Sequence, residues 1–312
     1  MKLNLYQKTA VTTVIATIVL IFVGGLVRAS GAGLGCPDWP QCFGMWIPPT
    51  NAADLPAQYD ASLFNPLHTW LEYINRLVGV VIGLLITATF LISFQYRKKD
   101  PVITATSGLA FVLVLFQGWL GGQVVRSGLS AGMITLHMVV AMIILATLLY
   151  AAFRAMNNEL AITISPKTRK ILLWISGVVL FLTLAQMILG TQVRETVDVA
   201  KNVLELPREQ WLNIDGWLYE VHRSFSWLLV IFVGALVFYN KKFDAPGRLK
   251  KLGWIITVLI LLQIFIGIGL ERLAMPGVLQ VLHLVGVAVL ICAELLYMLI
   301  AGFSKTGKSI YS

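Results

Sequence analysis

QGWLGGQVVRSGLSAGMITLH (117–137) and QIFIGIGLERLAMPGVLQVLH (263–283) are two copies of one pattern at an offset of 146 residues. At that offset Gln117 meets Gln263, Gly121 meets Gly267, Arg126 meets Arg272, Leu136 meets Leu282 and His137 meets His283. Each copy runs from the end of one apolar stretch, through a short break holding an arginine, into the next apolar stretch. A histidine lies just inside that second stretch. Read this way, the segment is a pair of membrane helices used twice.

The rest of the composition agrees. Hydrophobic residues make up 58% of the 312 and charged residues only 12%, with a mean hydropathy of +0.81, outside the range of an ordinary soluble domain. Eight apolar stretches can be read, at 8–28, 69–95, 102–124, 131–154, 169–193, 216–239, 250–271 and 277–302. Each is near the ~20 residues that cross about 30 Å of hydrocarbon. The expected fold is therefore all-α and polytopic, with eight transmembrane helices. The first stretch has no small-residue cleavage site after it and reads as a membrane helix, not a cleaved signal.

The net charge of +9 follows the positive-inside rule and does not point to nucleic acid. Sixteen of the 24 basic residues fall at one set of ends: Lys2, Lys8, Arg97, Lys98, Lys99, Arg154, Lys167, Arg169, Lys170, Lys241, Lys242, Arg248, Lys250, Lys251, Lys305 and Lys308. Both termini are thus expected in the cytoplasm, with 29–68 and 194–216 as outward loops.

The repetition extends further. TWLEYINRLVG in the second stretch aligns with GWLYEVHRSFS in the sixth, pairing Trp70 with Trp217, Leu71 with Leu218 and Arg76 with Arg223. The first and fifth stretches share a Gly-x-x-Val-Arg ending, GGLVR (24–28) and GTQVR (190–194). The chain reads as two pseudo-symmetric four-helix halves, 1–156 and 157–312, divided where NNELAITISPKT interrupts the apolar pattern.

All four histidines, His68, His137, His222 and His283, lie at or just inside the start of an apolar stretch. Histidine is costly in a bilayer, so each is a candidate functional residue. His137, His222 and His283 are each about six residues inside their helices, roughly 9 Å deep. His222 and His283, on two helices of one half, suit a bis-imidazole heme site; the plainer reading is a hydrogen-bonded core pair. In the other half Asn75 stands where His222 would be, and His68 lies about 10 Å nearer the outer surface. Glu72 and Asn75 share a face with His68. One deep histidine beside a carboxylate suits a guest that arrives and leaves. Arg28, Arg76, Arg126, Arg194, Arg223 and Arg272 sit at the outward helix ends, where they can snorkel to headgroups or grip carboxylates such as heme propionates.

At this point the run GGLVRASGAGLGCPDWPQC (24–42), the EYINR of the second stretch, the VHR of the sixth and the repeated Leu-His (136–137 and 282–283) resemble the heme A synthase family over essentially the whole chain. The resemblance implies oxidation of the C8 methyl group of heme O to the formyl group of heme A by successive hydroxylations, in a bacterial cell membrane. It implies a resident heme b in the second half, on His222 and His283, and a substrate site in the first. The family's Glu-x-x-His-Arg motif falls on Glu72, Asn75 and Arg76, where Asn75 departs from it. The candidate catalytic residues are then Glu72, His137, Asn75 and His68. The candidate heme-binding residues are His222, His283, Arg223, Arg272, Arg76 and Arg126, with His222, His283 and His137 as iron ligands. Implied partners are heme O, a membrane heme O synthase that delivers it, an electron acceptor the sequence does not identify, and lipid; homo-oligomerisation is left open. The alternative reading is a non-catalytic b-type electron carrier or heme transporter on the same bundle.

Cys36 and Cys42 lie in an outward, oxidising loop, where a disulfide is expected, as a staple or as a redox pair. The family implies a second cysteine pair after the fifth helix, and this chain has none there. Cys292 is expected to be packing. Glu294 is expected to pair with a neighbouring helix or to serve a proton path. Glu220 reads as interfacial, and Trp46, Trp211 and Trp217 as an outer aromatic belt. No Walker loop, dinucleotide fingerprint or HExxH run occurs.

Overall fold

The computed structural model describes residues 3–214 and 216–306; Lys2 and Lys308 lie outside them. Among the described residues eight helices are long and apolar enough to span a membrane. They are α1 (Leu5–Ala29), α2 (Pro66–Ser93), α3 (Pro101–Arg126), α4 (Ala131–Ala155), α5 (Pro166–Asn202), α6 (Gly216–Lys242), α7 (Gly247–Arg272) and α8 (Gly277–Gly302). All eight expected spans are present. Their starts follow local chemistry. Asn4 and Gln7 form a reciprocal capping box on α1, Asn65 accepts from His68 N at 3.1 Å ahead of Pro66, and Ser165 accepts from Thr168 N at 3.1 Å ahead of Pro166. Proline is tolerated at these first positions because its missing N–H would have had no intrahelical partner.

The chain divides into two compact units, Met1–Ala151 with Gln280–Val285, and Ala152–Leu279 with Gly286–Ser312. In the first, α2 packs between α1 and α3. Hydroxyls join these helices, Thr13 to Thr89 at 2.9 Å and Tyr6 to Ser107 at 2.8 Å. Between membrane helices each such bond contributes about 0.6–2 kcal/mol. Large apolar side chains such as Leu84 and Val112 face outward, as suits a lipid-facing surface. In the second unit α6 packs between α5 and α7 around a core of Leu172, Val179, Leu236, Leu249, Ile256 and Tyr297. A two-residue parallel pair, Thr163–Ile164 with Lys305–Thr306, lies at one end of this unit.

One boundary differs from the sequence reading. The outward loop expected at 194–216 starts later, because α5 continues to Asn202. Hydropathy falls after residue 193, yet the helix stays amphipathic: Val197 and Ala200 are fully buried, and Arg194 pairs with Asp198 one turn on at 2.9 Å. Arg194 therefore lies inside a helix and does not close one.

Candidate functional site

His137, His222 and His283 are each the seventh residue of their helix, α4, α6 and α8 respectively. In the first unit Gln117 of α3 donates from Nε2 to the backbone carbonyl of His137 at 2.9 Å. Gly121, one turn along α3, faces the imidazole: a Cβ there would lie 3.5 Å from His137 Cε1. The second unit repeats the arrangement on other helices. Gln186 of α5 donates from Nε2 to the His222 carbonyl at 2.9 Å, and a Cβ on Gly190 would lie 3.2 Å from His222 Cε1. Residues four apart share a helix face, so Gln-x-x-x-Gly presents a donor and a gap to the same neighbour. His137 Nδ1 and His222 Nδ1 are enclosed without a hydrogen-bond partner. Both rings are thus held by packing and by the bond to their own backbone. An imidazole fixed this way in an apolar bundle fits an axial heme ligand. His283 lies in Gln280–Val285, which belongs to the first unit, near Gly25 of α1, whose Cβ would lie 3.1 Å from Leu284.

The sequence reading missed Gln186 and Gly190, and noted Gln117 only as a repeat marker. The signal was available: Gln-x-x-x-Gly occurs at 117–121, 186–190 and 263–267, each time on the helix preceding a histidine.

Glu72 is buried on α2. Its Oε2 accepts from the Cys36 amide at 2.8 Å, and its Oε1 pairs with Arg76 one turn on. Arg76 Nη1 also donates to the carbonyls of Asp38 at 2.8 Å and Gln41 at 2.7 Å, and Nη2 to that of Cys36 at 3.4 Å. All four Nη hydrogens then have acceptors. The Arg76 fork, expected to grip a propionate, is turned in this structure to the loop and to Glu72. Cys36 and Cys42 form a disulfide, and the ring it closes is the segment these two side chains hold. Asp38 accepts from Phe43 N at 2.6 Å and Gly44 N at 2.8 Å, fixing a turn in which Phe43 has φ 56° and Gly44 φ 70°. Gly35 has no room for a side chain, since a Cβ would run into the carbonyl of His68. Thr69 adds a bond to the Gly35 carbonyl at 2.8 Å.

His68 sits in the first turn of α2, half-buried, one turn before Glu72. Asn75 Oδ1 is enclosed and has no partner, and it faces Gly24 of α1, whose Cβ would lie 3.8 Å away. Arg126 and Arg272 end α3 and α7 with exposed side chains. Arg223 is 55% exposed, 3.6 Å from Glu271 and stacked over Tyr219 at 5.6 Å, which leaves most of its fork accessible. Glu294 does pair with a neighbouring helix: Thr183 of α5 donates to its Oε1 at 2.8 Å, while Oε2 is enclosed without a partner. Cys292 is a free thiol. Glu220 is exposed, as an interfacial residue would be.

A family model described as cytochrome oxidase assembly protein matches residues 7–295. Among similar proteins is a heme A synthase of Shewanella oneidensis, 25% identical over 89% of this chain and 91% of that protein. Others are heme A synthases of Bacillus pumilus, 28% identical over 86% of this chain and 85% of that protein, and of Orientia tsutsugamushi, 26% identical over 92% and 93%.

Proposed function

The chain belongs to the family of cytochrome oxidase assembly proteins, and from that premise we infer that it is a membrane oxidoreductase converting heme O to heme A. The observation that carries this reading is a family match running through both histidine-bearing units, over residues 7–295. The similar proteins bear an enzyme's name, which favours an oxidase over the alternative of a carrier or transporter. The substrate is heme O, whose C8 methyl group is oxidised to a formyl group through successive hydroxylations.

His222 and His283 would hold the iron of a resident heme b, with Arg223, Arg272 and Arg126 toward propionates. When bound, that heme supplies one-electron transfer to an outside acceptor. The chain's own part is to orient and to exclude water. His137 seats the iron of the substrate heme as a single deep ligand. Asn75 lines the same face of α2 as Glu72, and His68 stands at the mouth above them. Oxidising a methyl group beside a conjugated ring develops positive charge, or demands proton removal, at that carbon. A carboxylate in a low-dielectric site stabilises such charge. Glu72, with each oxygen already bonded, acts as a placed negative charge more than as a proton shuttle. In this reading both termini lie in the cytoplasm, the heme sites lie toward the outer face, and a membrane heme O synthase delivers the substrate.

The test is to co-express the chain with a source of heme O, extract the hemes and determine their masses. Heme A should accumulate only when the chain is present. Heme O left unmodified, with the protein abundant in the membrane, would overturn the oxidase reading.

A further inference from the structure

We propose that Gln117 and Gln186 are positioning residues that set the depth and orientation of His137 and His222, each acting through its histidine's backbone carbonyl. The proposal rests on the reading of those histidines as iron ligands. A helical carbonyl already accepts one bond from the residue four ahead, but its second lone pair is free. Each glutamine takes that lone pair at 2.9 Å, pinning the ligand's own residue, not a neighbour, to the preceding helix. A shift of that helix by one residue would move the imidazole about 1.5 Å along the axis, enough to misplace an axial nitrogen.

The glycine four residues on makes the second contact. Gly121 and Gly190 each leave a gap that the imidazole edge fills, with 3.5 Å and 3.2 Å between the missing Cβ and Cε1. Bond and gap together define both the height and the lateral seat of the ring. One glutamine against one carbonyl would be ordinary interhelical glue. Here the pair recurs on two different helix couples, each time on the histidine itself. The chain also supplies a control. On α1 the same spacing reads Leu20 and Gly24, and the residue facing Gly24 is Asn75, not a histidine. The glycine persists there, while the glutamine is missing where the histidine is missing.

Gln117 Oε1 and Gln186 Oε1 are enclosed without partners, as are His137 Nδ1 and His222 Nδ1. Each seat therefore holds an unmet acceptor on the residue that already touches the histidine. A ligating imidazole carries its second proton on Nδ1, and an acceptor for that proton raises ligand basicity; in this structure the two atoms of each seat are not bonded to one another.

The experiment compares Gln186→Leu, Gln117→Leu, Gly190→Ala and His222→Ala in the purified full chain. Leucine is the residue α1 itself carries at this position. Resident heme per protein, its low-spin absorption bands and its midpoint potential are read beside thermal unfolding; Gln186→Met serves if Gln186→Leu does not fold. Gln186→Leu should lower retained heme on the order of tenfold or shift its bands and potential. Gly190→Ala should act the same way, since its contact is the tighter of the two. Gln117→Leu should leave the resident heme unchanged and weaken heme O binding, read by optical titration, to a similar degree. Unchanged bands, potential and heme content in Gln186→Leu, with His222→Ala lacking the heme, would overturn this proposal alone. Unchanged bands in His222→Ala would instead overturn the ligand assignment beneath it.

Discussion

The amide of Cys36 donates to Glu72 Oε2 at 2.8 Å, so the carboxylate proposed to face the reacting carbon also anchors the disulfide loop to α2. Arg76 completes the clamp by holding Glu72 and three loop carbonyls at once. The proposed chemistry and the observed loop placement therefore share one ion pair.

Glu72→Gln separates the two roles. Glutamine Oε1 can still accept one of the two bonds, so the loop should stay docked at a stability cost of roughly 1–3 kcal/mol. The resident heme should be unaffected, while heme A formation stops because the negative charge is gone. Heme extraction and absorption spectra of the same preparation check this. Heme A made at the wild-type rate would show that the carboxylate is structural only.

Arg76→Lys keeps the charge but not the planar fork. Lysine cannot reach Asp38, Gln41 and Cys36 together, and each bond lost costs about 0.5–1.5 kcal/mol. The 36–42 loop should loosen, so mild reductant followed by alkylation should label Cys36 and Cys42 faster than in the wild type. Equal labelling rates would mean that Arg76 does not hold the loop.

His222→Ala and His283→Ala should each abolish the low-spin heme b spectrum, because a five-coordinate iron loses both its spectral signature and a bond that retains it. His137→Ala should keep that spectrum and lose product. Arg223→Ala should retain the heme more weakly than the wild type, without changing its axial bands. Absorption spectra and extracted heme quantities distinguish these outcomes.

Thr183→Val removes the hydroxyl that donates to Glu294 Oε1, while Oε2 is already enclosed without a partner. The variant should unfold more readily in detergent, by roughly 1–3 kcal/mol. Glu294→Gln should cost less, since an amide oxygen still accepts from Thr183 and no charge is buried. A Glu294→Gln variant that unfolds earlier than Thr183→Val would contradict this ordering.

Much of the architecture was legible in the chain alone because a bilayer imposes a local rule. A helix that crosses hydrocarbon must be apolar over about 20 residues, so all eight spans appear in the hydropathy. Histidine is rare enough there that His137, His222 and His283 stood out by type and depth. The end of α5 did not stand out, because residues 194–202 are held by one buried face and an Arg194–Asp198 pair, not by hydrophobicity. Three-dimensional packing alone decided what the polar groups do. Arg76 resembles its counterpart Arg223 in sequence, yet one is bound to loop carbonyls and the other is largely exposed. Gln117 was legible only as a repeat marker, and Gln186 not at all, until their helices came beside His137 and His222. Hydrophobicity is summed along the chain, whereas a hydrogen bond needs two distant atoms within about 3 Å, and only the folded helices bring them there.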